Sequence, residues 1–328
     1  MHAELVVPGL LAAAQGARLP AAELLLARSR RSRSERRSVE GWLQHAFGLE
    51  GALPAGALTA LARGAAGEGF WARADPVHLQ LLRDQIVAVP GAALSVSRGE
   101  ADALIASINR HFAGRLEVHA AEPLRWWARL AEPLELAAEP PLEHAGRALR
   151  PGAPGEALAE SLTTEIQLLL HTHPVNAARE ERGELTINSL WLWGAGRTPE
   201  GAVSSWESVS ADDPVALGLA HAAKHRARAL PASASAWLER LPEEGRHLVL
   251  LDALRLPLAL GDAAGAAAAA AALEQAWFAP LLAALRSGRI GMFTLHVPDA
   301  HSAVSFEAIR GDLRRFWRRA RPLWEYDE

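Results

Sequence analysis

The chain is predicted to be α/β, with a central, mostly parallel sheet flanked by helices. Three observations predict it. Short apolar runs such as ELVVPGLL (4–11), HLVLLDA (247–253) and RIGMFTLHV (289–297) read as buried strands. Between them lie stretches whose apolar residues repeat at helical spacing. The chain has 328 residues, 50% of them hydrophobic, enough for one large α/β domain or two smaller ones. No internal repeat at a fixed period competes with this reading.

Taken in order, Glu4–Leu11 is a strand that ends at Pro8-Gly9. Pro20–Arg28 reads as a helix. Arg28, Arg30, Arg31, Arg33, Arg36 and Arg37 follow, interleaved with Ser29, Ser32, Ser34 and Ser38. Such a run allows a phosphate or nucleic-acid contact; a solvated loop at a domain edge is the plainer expectation. Val39–Phe47 and Ala57–Gly64 are helix-like, with Gly51 and Pro54 between them. In Phe70–Pro90, Asp75-Pro76 forces extended or turn backbone before Val77 and His78, and Ile86–Val89 is strand-like. Asp75, His78, Arg83 and Asp84 either line a polar site or, for Arg83 and Asp84, form a surface pair worth little.

Ser97–Phe112 is an amphipathic helix whose Ala101, Leu104, Ile105, Ile108 and Phe112 share a face. Ser97 and Glu100 form its capping box. Arg115–His119 and Leu124–Leu130 read as adjacent strands, with Trp126-Trp127 as bulky packing residues. Residues 131–156 are Pro-rich and weakly periodic, a linker or surface excursion. The expected division is therefore 1–130, 131–156 and 157–328, with one continuous domain as the alternative.

The segment 165–199 holds the densest set of polar residues in apolar surroundings: His171, His173, Asn176, Arg179, Asn188, Trp191 and Trp193. Ala157–His171 is a helix with an apolar face of Leu158, Leu162, Ile166, Leu169 and Leu170. Pro174 stops it, so His171 and His173 are expected at a helix C-terminus, where imidazolium is favoured. A short helix carries Asn176 and Arg179, and Leu185–Trp193 is a strand closed by Gly194-Ala195-Gly196. Beyond Pro199, Asp213–Lys224 is a helix and His247–Ala253 a strand. Asp262–Ser287 is one long Ala-rich helix interrupted near Pro280; its Ala263–Leu273 part is too short to span a bilayer. Strands at Arg289–Val297 and Ser305–Ile309 follow, then a basic helix, Asp312–Arg321; within Arg310–Arg321 a nucleic-acid contact is one reading, and packing through Phe316, Trp317 and Trp324 is the plainer one. Ligands in such sheets gather at the carboxyl ends of strands. That rule places Pro8-Gly9, Asn188–Gly196, Asp252 and the His296–His301 loop around one rim.

Bulk numbers exclude several classes. The formal charge is −4, so no global basic field draws the chain to nucleic acid. The absence of cysteine excludes a disulfide framework, a thiolate metal site and a Cys nucleophile. With no signal-peptide pattern at the start, a soluble cytoplasmic protein is expected, without a membrane partner.

The chemical motifs are individually weak. Gly194-x-Gly196 lacks the third glycine of a dinucleotide fingerprint. His171-x-His173, or Asp299-x-His301 with His296, offers too few ligands for a metal by itself. Trp191 and Trp193 are read as core before ligand platform. Asn176, Arg179 and Asn188 are harder to explain as packing, because Arg anchors phosphate or carboxylate and Asn can orient it. Asn can equally bond the backbone of the Pro174 turn.

Several stretches carry a family resemblance: DPVHL (75–79), RD (83–84), RWW (125–127), EIQLLLHTHPVN (165–176), INSLWLWG (187–194), and FWRR with RPL near the end. Together they resemble a proteobacterial family of regulatory, phosphoglycerate mutase-like proteins of the RpfE type. Residues 165–199 are also distantly similar to archaeal-type cofactor-independent phosphoglycerate mutases of the alkaline phosphatase superfamily. The resemblance implies an alkaline phosphatase-like core. In the mutases it implies two divalent metals, held by Asp and His, and a Ser or Thr nucleophile. This chain departs from that pattern. Pro8-Gly9 stands where Asp-Gly is expected, HVPDAHSA has no adjacent Asp-His, and no His follows Asp252 in LRLPLALGD. Without the metals, in-line displacement loses the charges that stabilise both oxygens.

The expectation is a non-metal relative acting as a regulatory or small-molecule-binding protein with no cofactor. Its anchors for a small phosphorylated or carboxylate ligand are His173, Asn176, Arg179, Asn188 and Arg197, with His78 and Arg83 as neighbours. One alternative is an active mutase or phosphatase that binds Mn²⁺ or Mg²⁺ through Asp252, His296, Asp299 and His301. Another is a structural or partner-binding protein.

Overall fold

The computed structural model describes residues 1–14, 17–65, 68–82, 85–136, 139–147, 157–299 and 303–326. Its strands, in chain order, are β1 (His2–Val6), β2 (Arg30–Ser34), β3 (Phe70–Leu82), β4 (Gln85–Pro90), β5 (Leu116–Glu122), β6 (Arg125–Leu130), β7 (Ser189–Gly196), β8 (Ser208–Ala211), β9 (Arg226–Ala229), β10 (Arg246–Leu250), β11 (Met292–Val297) and β12 (Ala303–Ile309). They form two sheets in two compact units, Met1–Leu49 with Gly201–Glu328, and Glu50–Glu200. These units differ from the division at 130 and 157. The reason is that β7 bonds to β3, and the helix Ala157–His171 puts Ile166 and Leu170 into one core with Leu104 and Ile108. The described end of the Pro-rich stretch is packed too: Ala145 bridges Ala88 beside β4.

The first unit carries the expected mostly parallel sheet, in the order β2-β12-β11-β1-β10-β8-β9. Strands β11, β1, β10, β8 and β9 run parallel; at one edge β12 runs against them, and β2, antiparallel to β12, runs with them again. One face is apolar: Ala3, Leu5, Val7, Val249, Phe293, Leu295 and Phe306 are buried there. The helix Pro20–Arg28 covers it through Leu25 and Leu26, and the helical run Ala263–Ser287 through Ala270, Trp277, Phe278 and Leu281. Each large side chain so withdrawn contributes roughly 1.5–3 kcal/mol. That fixes register, because a one-residue slip would turn His2 and Glu4 into this core.

The long helix is interrupted where expected, and its form is now defined. An α-helix, Ala263–Leu273, passes through a π-turn, Glu274–Phe278, into a second α-helix, Ala279–Ser287. Pro280 has no N–H and its ring crowds the preceding turn, and the wider turn absorbs both. The whole run is 25 residues, long and apolar enough to cross a membrane by length and composition. Ala263–Leu273 by itself is 11 residues and too short, and 44% of the most apolar window of the longer run is buried in the core. Glu274 accepts from the N–H groups of Ala21 and Ala22 at 2.6 and 3.1 Å. It caps the helix Pro20–Arg28, whose own N-cap, Leu19, supplies no side-chain bond.

Two expectations change at the ends of this unit. The Ser/Arg run is not a loop: Arg30–Ser34 is the edge strand β2, paired with β12. Nor is Asp312–Arg321 a helix packed through its aromatics. A short 3₁₀ turn, Arg310–Arg314, is followed by turns, and Phe316 and Trp317 are 79% and 66% exposed. Arginines on every side of the segment leave no apolar stripe to dock, and a short helix without docking does not persist.

The second unit is antiparallel, which strand periodicity alone did not distinguish. Its sheet runs β4-β3-β6-β5, with β7 also on β3. The 13-residue β3 pairs with β6 and β7 over its first half and with β4 over its second. Leu104, Ile108, Phe112, Trp126, Ile166, Leu170, Leu190 and Leu192 fill one face. On the other, the helix Ala55–Ala62 packs Ala57 and Ala60 against Trp71 and Trp127. A Cβ on Gly194 would lie 2.6 Å from Ala55 Cβ, and one on Gly196 2.7 Å from Pro54 Cβ. The Gly-x-Gly pair therefore serves close helix–strand packing. Since β7 belongs to this sheet, Asn188–Gly196 is not part of the parallel sheet's rim. Pro8-Gly9, Asp252 and Pro298-Asp299 follow β1, β10 and β11 there without it.

Candidate functional site

The polar residues of 165–199 are largely consumed inside the second unit. His173 is the N-cap of the helix Pro174–Glu181, so it begins a helix instead of ending one. Its Nδ1 accepts from the Val175 N–H at 3.2 Å, which leaves the proton on Nε2, 2.9 Å from Ser107 Oγ. Burial pushes its pKa down. The imidazole is neutral there, contrary to the expected helix C-terminal imidazolium.

Asn176 is 2% exposed. Its amide donates to the carbonyls of Leu170 and Ile187, each at 2.8 Å, and its Oδ1 accepts from the Ile187 N–H at 2.9 Å. It ties the end of one helix to the segment entering β7. Arg179 is 1% exposed. It donates to the carbonyls of Leu185 and Ser95 at 2.7 and 2.8 Å and to Glu100 Oε1 at 3.1 Å. Asn188 accepts from the Leu79 N–H at 2.7 Å and donates to the Leu79 carbonyl at 2.9 Å. Its amide thus prolongs the β3–β7 ladder by one rung. His78 Nδ1 meets the Thr186 carbonyl at 2.9 Å. Asp75, buried, bonds Arg73 and accepts from Trp193 Nε1 at 2.6 Å. Arg83 and Asp84 lie outside the described residues.

The metal alternative fares no better among the described residues. His296 meets Ser305 Oγ through Nδ1 at 2.9 Å, its Nε2 stands 3.5 Å from Glu4 Oε2, and its ring lies 5.0 Å from Trp42. Asp252 and Asp299 follow β10 and β11, but no three His, Asp or Glu side chains among the described residues gather as a metal site. His301 lies outside those residues. Pro8 has no side-chain donor to offer. The described residues do not fit a divalent cation, and no catalytic step is derived through one.

What occupies the polar face of the parallel sheet is a charge cluster around Glu4, 2% exposed. Arg246 Nε donates to it at 2.7 Å, and His2 and His296 flank it at 3.3 and 3.5 Å. Burial raises the Glu4 pKa, but the adjacent His296 and His2 and the bond from Arg246 outweigh this, holding it at about 2. Neither Glu4 nor Arg246 was singled out from sequence. The available signal was two polar residues, His2 and Glu4, alternating with Ala3 and Leu5 in an otherwise apolar strand.

Arg197 is the exception among the expected anchors. It is exposed and lines an open cleft of about 360 Å³ in the second unit, together with Arg115, Arg129 and Glu117. Arg115 is held by Glu165 at 3.0 Å and lies over the Phe112 ring, and Arg129 donates to the Glu68 carbonyl at 3.3 Å. Arg197 makes no hydrogen bond or ion pair among the described residues. With Arg115 paired to Glu165, Arg197 and Arg129 against Glu117 still leave the cleft a positive balance, suited to a small anion. Sequence reading missed Arg115 and Arg129; Arg129 was legible only as the exposed residue between buried Ala128 and Leu130.

No protein-family model matches the chain, and no curated protein matches it. Solved structures similar to it include the PH0037 protein from Pyrococcus horikoshii, with a TM-score of 0.58 and 15% identity, covering 94% of this chain and 87% of that one. They also include a cofactor-independent phosphoglycerate mutase from Thermoplasma acidophilum, with a TM-score of 0.43 and 19% identity, covering 94% and 90%. The first likeness shows a shared fold. The second superposes too loosely to bear on fold or site.

Proposed function

We propose that the chain is a phosphoglycerate mutase-like protein of the alkaline phosphatase superfamily that binds a small phosphorylated or carboxylate ligand without metal-dependent phosphoryl transfer. It serves as a regulatory or sensing protein in the cytoplasm. The family assignment, including its RpfE-type character, rests on the sequence resemblance of residues 75–79, 125–127, 165–176 and 187–194. The ligand assignment is carried by one observation: the guanidinium of Arg197, without a partner among the described residues, beside Arg115 and Arg129 in the cleft. A planar fork of exposed donors is matched to a carboxylate or phosphate. Asn176, Arg179 and Asn188 are read as internal ties that hold β7, and with it Arg197, in place.

Calorimetric titration with 3-phosphoglycerate and inorganic phosphate, in the presence of EDTA, tests this. Saturable binding is expected, at least tenfold weaker for Arg197→Ala at unchanged thermal stability. Equal affinity in that variant overturns the cleft assignment. Mn²⁺-dependent turnover of 3-phosphoglycerate overturns the metal-free half of the proposal and favours an active mutase.

A further inference from the structure

Two basic runs, far apart in sequence, lie together in the unit formed by Met1–Leu49 and Gly201–Glu328. Residues 28–37 hold six arginines and one acid, Glu35; residues 310–321 hold six arginines and one acid, Asp312. Arg318 donates to the Ser29 carbonyl at 2.9 Å, Arg315 to the Arg28 carbonyl at 3.5 Å, and Arg31 to the Tyr326 carbonyl at 2.6 Å. These three bonds dock the second run on the first through neutral carbonyl acceptors, and Glu307 stands opposite Arg30 in the β12–β2 pairing. The two acids are taken up locally by Arg37 and Arg315. The runs together carry a net +10 in a chain of net −4, so the remainder carries −14. The global charge therefore says nothing about this face.

The face also bares two aromatic rings. Phe316 and Trp317 are 79% and 66% exposed and meet edge-on at 5.3 Å, with Arg314 and Arg315 on one side and Arg318 and Arg319 on the other. Arg30, Arg31 and Arg33 extend the exposed cations along β2, the sheet's edge strand. An anionic bilayer is met by an amphipathic helix with a continuous apolar face; the Arg310–Arg314 turn is short and the two rings are bracketed by charge. An acidic protein would engage the arginines and leave the rings without a role. Single-stranded nucleic acid uses both, with phosphates on a basic track and bases stacked on aromatic faces.

We infer that this face binds single-stranded nucleic acid, with phosphates held by the exposed arginines and bases stacked on Trp317 and Phe316. Fluorescence anisotropy of the full chain tests it. The probes are a labelled twenty-nucleotide oligo-dT, oligo-U of the same length, and a duplex of that length, with phosphatidylserine vesicles as competitor. Single strands are expected to bind at least tenfold more tightly than duplex. The double variant Phe316→Ala, Trp317→Ala is expected to lose about tenfold or more. The triple variant Arg30→Ala, Arg33→Ala, Arg319→Ala is expected to flatten the salt dependence by about 0.7 in log–log slope for each phosphate that is no longer neutralised. All five positions are exposed, so thermal unfolding should match the parent, and Arg197→Ala should leave this binding unchanged. Equal binding of single strand and duplex with no loss in the ring variant, displacement of oligonucleotide by vesicles alone, or no binding at low salt would each overturn the inference.

Discussion

Arg179 and Arg197 sit in the same sequence segment and in the same unit, yet they do opposite things. Arg179 is buried and its donors go to the carbonyls of Leu185 and Ser95 and to Glu100. Arg197 is exposed in an open cleft and donates to nothing among the described residues. The difference lies in burial. An arginine removed from water must be bonded internally, because an unpaired buried charge costs several kcal/mol. An arginine left in water keeps its donors available. A polar residue in a distinctive motif is thus more informative about function when the fold leaves it incompletely bonded.

The comparison can be broken most forcefully at the buried side. Arg179→Met should destabilise the protein by about 2–5 kcal/mol in urea or guanidinium unfolding, since it leaves the buried carbonyls of Leu185 and Ser95 without their donor, while Glu100 keeps Arg182 and Ser97. A change below about 1 kcal/mol would mean that Arg179 is not the tie described.

Acid should act on the same principle in both units. Glu4 has its folded pKa lowered from 4.5 to about 2, so its contribution is complete above the unfolded value and is lost as pH falls through the interval between them. That loss is on the order of 3 kcal/mol. Glu100, likewise held at about 2, loses its contribution in the same window. His2 and His173, both lowered from 6.5, add a loss that begins as pH drops below that value. Denaturant midpoints measured from pH 7 to pH 2 should therefore fall in two stages. Stability that is flat to pH 3 would contradict the charge cluster.

Gly194→Ala should cost about 1–3 kcal/mol, because φ is 56° and the new Cβ would press on Ala55. Cofactor binding would not enter into it. If the variant keeps its unfolding midpoint, the close packing of helix Ala55–Ala62 on β7 is wrong. The smallest expected effect on stability is Arg197→Ala, within about 0.5 kcal/mol. A large loss there would place Arg197 with Arg179 as a structural residue and dissolve the contrast.

Much of the architecture was legible. The helix Pro20–Arg28, the Ser97–Glu100 capping box and the strand and helix runs of 157–199 and 289–297 follow from local periodicity and caps, and they are present. Which sheet a strand joins was not legible, because β7 and β11 have similar apolar content while only long-range pairing separates them. Asn176 and Asn188 illustrate the same limit at the site. Their residue type permits ligand or backbone bonding, and only the positions of Ile187 and Leu79 decide it. Glu4 was hidden because its alternation with His2 spans a strand of only five residues, and the bare rings of Phe316 and Trp317 by an aromatic content that usually signals packing.

The most direct test of the central contrast is a metal-free calorimetric titration of the parent chain, Arg197→Ala and Asn188→Ala with 3-phosphoglycerate. The predicted result is saturable binding to the parent, affinity at least tenfold lower in Arg197→Ala at the same melting temperature, and near-parental affinity in whatever fraction of Asn188→Ala remains folded. The contradicting result is parental binding by Arg197→Ala together with loss of binding by fully folded Asn188→Ala.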